Sequence, residues 1–562
     1  MPTQPLQAKP GFARNGRRAG RVLGCIAGLL LQPGLLSAPP ANGAAERPNI
    51  IIVLVDDMGF SDIGCYGSEI PTPNLDALAA GGVRFAQFYN TGRCCPTRAS
   101  LLTGLYPHQA GVGWMTADQG APGYRGHLNE RCVTIAEVLR QAGYFTAMTG
   151  KWHVGFGHGV TPWNRGFDRS LNLPAGGLHF SNQTGPKGKT KLYLNGREVR
   201  RDDPRFNPPW YGTDLWTDWG IRFIDEARAA GKPFFLYIAH CAPHFPLMAP
   251  AETIAKYRGR YMTGWDRLRR ERYHRQIRLG LIDPAWPLTP RPPEVPAWAS
   301  LPEAEQRRYD HMMAIYAAMI DEIDQNVGKL VAALKQRGLL DNTLLFFLSD
   351  NGGNAESGVP GKYEGENPGD PHSNVFLGKC WALLNNTPFR LYKHYNHEGG
   401  IATPLIVHWP RRIRPRPGPD GWIRTPGHVI DLMPTCVEAA RATYHTSRQG
   451  QPVLPMEGRS LLPLLTGEGD LPSRALYWEH EGNAALREGD RKLVRLARQP
   501  WELHDMRADR TEQHDLAPEQ PETVSALADQ WQAWARRAHV LPKPAAKRKS
   551  KPAPARKASR QR

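Results

Sequence analysis

Cysteine is scarce in this chain, with 8 among 562 residues, and none forms a Cys-x-x-Cys pair. That absence excludes a zinc ribbon, and the irregular spacing excludes a small disulfide-built scaffold. Beyond the N-terminus no segment is long or apolar enough to span a bilayer. Internal repeats are missing as well. Acidic residues are the minority: 53 Asp+Glu against 71 Lys+Arg give +18 and a pI near 9.6, the balance of a chain with an anionic partner. What is present in quantity is apolar material. At 41% apolar and 22% charged, the chain can bury a large core, which rules out wholesale disorder and collagen. Its length allows three or four domains, or one large α/β unit with an appendage.

The excess positive charge sits at the two ends. Residues 1–44 carry Lys9, Arg14, Arg17, Arg18 and Arg21 with no acid, for +5. An apolar stretch over 22–38 and a small-residue run over 41–45 follow, which is the layout of an export signal. A signal peptide over 1–44 and an exported, periplasmic or secreted protein are expected. A membrane anchor fits less well because Gln32, Pro33 and Gly34 interrupt the apolar stretch. Residues 542–562 hold nine Lys/Arg, no acid and no large apolar residue, a basic tail expected to be disordered. Setting both ends aside leaves +4 on the body, so no specific nucleic-acid partner is expected. The tail is expected to contact anionic envelope or polysaccharide.

Continuous apolar, β-branched runs at 49–55, 145–148, 234–238, 344–348 and 405–408 read as strands buried on both faces. Helical patterns lie between them. The clearest sets Met312, Tyr316, Met319, Ile323, Val327, Leu330 and Leu334 on one stripe and stops at Gly338, where a C′ glycine belongs. This alternation predicts an α/β fold with a large, mainly parallel sheet flanked by helices. In such folds ligands bind beyond the carboxyl ends of the strands. Residues 258–298, rich in Arg, Trp and Pro, are expected to form a long excursion. Over 471–541, strand-like pieces at 475–479, 492–496 and 501–504 and an amphipathic helix near 523–538 predict a small antiparallel-sheet plus helix subdomain after a main domain over 45–470.

Chemistry concentrates at the strand ends. Asp56-Asp57 follows the first run and Asp350-Asn351-Gly352-Gly353 the fourth. Three carboxylates and an amide oxygen on one sheet edge suit a hard cation, Ca²⁺ ahead of Mg²⁺. The densest signal is Cys94-Cys95-Pro96-Thr97-Arg98-Ala99-Ser100-Leu101-Leu102-Thr103-Gly104. Cys-x-Pro-x-Arg followed by Leu-Thr-Gly resembles the signature of the type I, formylglycine-dependent sulfatases. Further segments are similar to that family in chain order: Asp56-Asp57-Met58-Gly59, Gly150-Lys151-Trp152-His153-Val154-Gly155, Ala242-Pro243-His244-Phe245-Pro246, Asp350-Asn351-Gly352, Lys393 ahead of Glu398-Gly399-Gly400, and Trp501-Glu502-Leu503-His504-Asp505. The longer span 256–330, with Gly264-Trp265-Asp266 and Tyr316-Ala317-Ala318-Met319, looks most like the large bacterial arylsulfatases.

The resemblance implies an alkaline-phosphatase-like fold and hydrolysis of aryl or carbohydrate sulfate monoesters. It implies that a separate formylglycine-generating or equivalent maturation enzyme oxidises Cys94, and that Asp56, Asp57, Asp350, Asn351 and the modified Cys94 hold Ca²⁺. The aldehyde hydrate would attack sulfur with one hydroxyl and expel sulfate with the other. By the same resemblance Arg98 steadies the nucleophile, Lys151 and Lys393 bind sulfate oxygens, His153 assists at position 94, and His244 protonates the leaving oxygen. His240 is expected near the site, and Arg390, His158 and His397 toward its substrate end. The local departure is Cys95, since a Cys94–Cys95 disulfide would block conversion. Two other functions compete: a phosphonate monoester or phosphodiester hydrolase using the same nucleophile, and a catalytically silent, exported anion-binding protein.

Overall fold

In a computed structural model, which describes residues 47–185 and 187–544, the first apolar run forms strand β1 (Asn49–Val55) with every residue buried. Its alternating side chains feed two cores. Ile51, Val53 and Val55 pack with Phe223, Ile224, Met319 and Ile323 on one face. Ile50, Ile52 and Leu54 pack with Leu101, Leu102, Leu432 and Met433 on the other. A strand apolar on both sides needs both layers, so the sheet lies in the middle of the molecule.

The remaining strands of this ten-stranded sheet are β2 (Val83–Phe85), β3 (Phe145–Lys151), β4 (Arg169–Leu173), β5 (Leu192–Leu194), β6 (Arg197–Val199), β7 (Phe234–Ala239), β8 (Thr343–Ser349), β9 (Leu405–His408) and β10 (Trp422–Ile423). They lie in the order β10-β2-β9-β8-β1-β7-β3-β4-β5-β6. From β8 to β4 neighbours run parallel. The fifth apolar run, β9, pairs antiparallel with β8 and β2, and β5 and β6 close the other edge antiparallel. The sheet is thus mixed and mainly parallel, with β1 between strands that arrive later in the chain.

The helices that matter here are α1 (Cys94–Thr103), α2 (Gly212–Ala229), α3 (Trp265–Arg278), α4 (Glu303–Gln336) and α5 (Pro521–Arg537). Beyond the end of α4, Gly338 takes a φ of 66°, the left-handed position that favours glycine. The excursion carries α3 back over the main body. Its fully buried Arg272 meets Asp62 and Glu69, each at 2.7 Å, so the guanidinium is paired rather than isolated. Four antiparallel strands, β11 (Ala475–His480), β12 (Asn483–Glu488), β13 (Arg491–Arg495) and β14 (Glu502–Asp505), form a separate sheet. Helix α5 covers it, burying Trp531 and Trp534 with Leu486, Leu493 and Leu503.

The expected signal segment lies outside the described residues, as does the tail from 545 onward. Residues 542–544 are described, with Lys543 donating to Glu479 at 2.7 Å. No helix among the described residues is long and apolar enough to cross a membrane.

Candidate active site

The carboxyl ends of β1, β3, β7 and β8 open on one edge of the sheet. Asp56 and Asp57 leave β1, Lys151 ends β3, and Asp350 and Asn351 follow β8. Asp57 turns there through a left-handed φ of 70°, and such a backbone persists at a site only when its surroundings fix it. Its carboxylate accepts from Asn351 Nδ2 at 2.8 Å, Asn354 Nδ2 at 2.6 Å and Lys393 Nζ at 2.8–2.9 Å. Gly352 is required for a different reason. A Cβ there would sit 1.9 Å from the carbonyl oxygen of Gly399, so the loop after β8 lies directly against the segment that follows Lys393.

Helix α1 aims its N-terminus at the same edge. Arg93 is the extended N-cap, Gly104 closes the far end at φ 68°, and every helical residue is buried. Cys94 and Cys95 are consecutive in the helix and free. Neighbouring Cα atoms lie about 3.8 Å apart, closer than disulfide geometry accommodates, so the bridge that would block conversion is disfavoured here. The Cys94 thiol is pulled well below its ordinary pKa, first by the hydrogen bond from Cys95 and then, against burial, by Lys151 and His153.

Three cations thread the carboxylates. Arg98, fully buried, places Nε and Nη2 on Asp350 Oδ2 at 3.0 and 2.7 Å and Nη1 on the Lys151 carbonyl at 2.9 Å. Lys151 Nζ meets Asp56 Oδ2 at 2.5 Å. Burial opposes each lysine's charge, but Asp56 restores it at Lys151, and Asp57 and Glu356 restore it at Lys393; both pKa values are raised. These cations do not satisfy the cluster. Burial and then the facing Asp350 push the Asp56 pKa well up. Asp56 Oδ1 and Asn351 Oδ1 are buried with no hydrogen-bond partner among the described residues. Ligand atoms of Asp56, Cys94 and Asp350 fall within 4.8 Å of one another, as do those of Asp56, Asp57 and His244. Two orphaned oxygens among three carboxylates fit a hard divalent cation.

The histidines divide by environment. His153, left-handed at φ 58°, hydrogen-bonds Cys94 and is kept neutral by burial, its pKa falling to about 4. His244 sets Nδ1 on the Phe245 carbonyl at 2.6 Å and Nε2 3.6 Å from Asp57 Oδ2. Its ring stacks on Phe245 at 4.1 Å, which stacks on Phe376 at 4.2 Å. His240 lies just beyond β7, and burial lowers its pKa to about 3.

Cys94, Arg98, Lys151, His153, His244, Lys393, Asp56, Asp57, Asp350 and Asn351 are thus brought to one buried cluster. Three expected substrate-end residues are not. Arg390 pairs with Glu502 of β14, and His397 lies 3.6 Å from the same carboxylate; both face the C-terminal sheet. His158 is exposed, stacked on His127 at 4.7 Å. Sequence reasoning missed Asn354, Arg93, Glu356 and His394. Asn354 follows the Asp-Asn-Gly-Gly segment directly and was findable there, whereas the others are joined only by the fold.

Comparison with known proteins agrees with this geometry. The Sulfatase family model matches residues 48–442. An arylsulfatase of Klebsiella aerogenes is 37% identical over 435 residues, covering 74% of this chain and 91% of its own. An uncharacterized sulfatase of Schizosaccharomyces pombe is 34% identical over 526 residues, covering 87% and 93%. The crystal structure of Ps i-CgsB matches with a TM-score of 0.65 at 26% identity, over 89% of this chain and 98% of its own. The fold is the alkaline-phosphatase-like one that the resemblance implied. A family match over most of the chain, together with relatives of this closeness, shows that the chain belongs to the sulfatase family and is a sulfuric ester hydrolase.

Proposed function

We propose that this chain is an exported enzyme that hydrolyses aryl or carbohydrate sulfate monoesters with a formylglycine made from Cys94 and a Ca²⁺ ion held by Asp56, Asp57, Asp350 and Asn351. The observation that carries the reading is the placement of Cys94 at the N-terminus of α1, within 4.8 Å of ligand atoms of both Asp56 and Asp350. A cation held at these oxygens would supply charge opposing the sulfate and would lower the pKa of a hydroxyl at position 94. The aldehyde hydrate supplies the attacking oxygen and a second hydroxyl with which to release sulfate.

The chain's own residues do the rest. The free N–H groups and dipole of α1 favour an anion at position 94. Arg98, forked onto Asp350 and the Lys151 carbonyl, fixes the spacing between nucleophile and carboxylates. Lys151 and Lys393 stay charged at any working pH because their pKa values are raised, and they hold the non-bridging oxygens. Such fixed charges in a buried site each contribute a few kcal/mol to the transition state. Neutral His153 takes a proton at position 94. His244, with Nδ1 on the Phe245 carbonyl, turns Nε2 toward the site and delivers a proton to the departing oxygen. A maturation enzyme is the required partner, and the basic tail tethers the protein to anionic envelope or polysaccharide.

The test is peptide mass spectrometry over residues 94–98, where conversion lowers the mass by about 18 Da, one sulfur and two hydrogens exchanged for an oxygen. An unconverted Cys94 in protein from its native host would sink the nucleophile. Rates on aryl sulfate, phosphonate monoester and phosphodiester substrates test the substrate class, and a preference for either phosphorus ester would overturn it.

A further inference from the structure

Among the routes by which the C-terminal sheet reaches the active site, one runs through a histidine beside Lys393. His394, next to Lys393, donates its backbone N–H to Gly92 at 2.9 Å and accepts from Asn483 Nδ2 at its carbonyl at 3.1 Å. Its ring sets Nδ1 2.9 Å from Glu481 Oε2 and Nε2 3.0 Å from Glu356 Oε1. These partners belong to three separate segments. Gly92 leads into Arg93 and Cys94. Glu356 lies on the loop after β8 and accepts from Asn354, which holds Asp57. Glu481 and Asn483 belong to the turn between β11 and β12 and to the start of β12. Arg93 touches the same imidazole and pairs with Glu356 at 3.1 Å. His394 itself is left-handed, at φ 85°, a conformation that survives only where several contacts enforce it.

The charges facing the ring suit a cation. Burial opposes a charged imidazole and Arg93 repels it, but hydrogen bonds to Glu356 and Glu481 outweigh both, and the His394 pKa is raised. The carboxylates respond in kind. The hydrogen bond from His394 brings Glu481 down to about 2. Glu356 also falls to about 2, where His394 and Lys393 overcome its burial. His480, its ring centroid 6.1 Å away, is neutral, burial holding its pKa near 4. Lys393 Nζ stands 3.9 Å from Glu356 Oε1, so one carboxylate serves both neighbours.

We propose that His394 is a positioning residue through which the C-terminal sheet, by Glu481 and Asn483, sets the loops bearing Lys393 and Arg93–Cys94 against each other. The inference rests on reading Lys393 as a sulfate-binding group. Loss of the Glu481 carboxylate leaves the ring anchored to a carboxylate on its Glu356 side alone and lets it lose its proton at lower pH. A displacement of about 1 Å at a group that holds substrate costs up to about a hundredfold in rate.

The experiment compares Glu481→Gln, His394→Gln and Lys393→Ala with the parent enzyme on an aryl sulfate across pH. Thermal melts report folding and peptide mass reports conversion of Cys94. We expect Glu481→Gln to fold and convert, to lose about tenfold or more in kcat/KM, and to move the alkaline limb of its pH profile to lower pH. His394→Gln loses as much and lacks that limb; if it does not fold, Glu481→Gln decides alone. A folded, converted Glu481→Gln within about twofold of the parent overturns the proposal. So does a uniform loss of active protein with an unmoved limb, which is the mark of a merely structural contact. Lys393→Ala separates the two readings: if it hydrolyses sulfate like the parent, the role of Lys393 fails. If it is inactive while Glu481→Gln is unaffected, only the positioning role fails.

Discussion

Replacing Arg98 by alanine tests both the stability and the chemistry of the cluster. The guanidinium is fully buried and makes two contacts to Asp350, one to the Lys151 carbonyl and a longer one, 3.5 Å, to Asp56. Removing one member of a buried ion pair costs about 3–5 kcal/mol because the other charge is stranded. The lost bond to the Lys151 carbonyl adds about 1 kcal/mol. In metal-free protein Arg98→Ala is therefore expected to melt about 5–10 °C below the parent, allowing for the small shift per kcal/mol in a large chain. Arg98→Lys keeps the charge and loses the fork, so it should fall about halfway. An excess of Ca²⁺ should recover much of the loss in the alanine variant, because the ion compensates the same carboxylates and its binding stabilises the folded state. Activity should drop by at least about a hundredfold even in folded Arg98→Ala. The assay is a thermal melt by circular dichroism in chelator and in Ca²⁺, beside aryl sulfate hydrolysis. If metal-free Arg98→Ala melts within about 2 °C of the parent, the carboxylates do not depend on Arg98, and the electrostatic account of the cluster is wrong.

Three further outcomes follow from the geometry. His244→Gln should lower kcat steeply on esters of poorly acidic alcohols and far less on activated aryl sulfates, since only the former need the proton; equal losses on both would remove His244 from that role. Glu512 is opposed by burial but held down to about 2, chiefly by Lys492. Its folded pKa thus lies below the ordinary value, and its stabilisation is full above about pH 4.5 and lost as pH falls toward about 2. Denaturant midpoints should show Glu512→Gln less stable at neutral pH yet with a shallower acid decline; a decline as steep as the parent's refutes the assignment. Removing residues 545–562, while sparing the Lys543–Glu479 pair, should leave activity and melting unchanged and reduce retention on an anionic polysaccharide. Unchanged retention refutes the tether.

Strand interiors were legible because a strand buried on both faces can be written only in apolar, β-branched residues. The run at 49–55 coincides with β1, and those at 145–148, 234–238 and 344–348 lie inside β3, β7 and β8. Direction was not legible, since β9 reads like its parallel neighbours and yet runs antiparallel. Periodicity does not encode direction. Strand β12 escaped notice because Asn483-Ala484-Ala485-Leu486 lacks β-branched residues, and its conformation comes from pairing with β11 and β13. At the site, contiguous motifs fixed the residues that converge. The misplacement of Arg390 and His397 has a physical cause: two residues flanking Lys393 look alike in sequence, but the chain reverses around Lys393 and turns them toward Glu502. The Glu356–His394–Glu481 contact joins segments with no shared motif, so nothing local announces it.

On the proposed maturation of Cys94, the complete burial of α1 sets a clock. With Cys94 2% exposed and every residue of its helix inside the protein, an enzyme that modifies Cys94 would have to reach it before the fold encloses this segment. The carboxylate that pairs with Arg98 is Asp350, just beyond β8 and 252 residues further along the chain. At roughly 5–20 residues per second of synthesis, that separation keeps the segment open for about ten to fifty seconds before its partner exists. If Cys94 is matured as proposed, the distance in sequence between it and Asp350 is what leaves it within reach for that long.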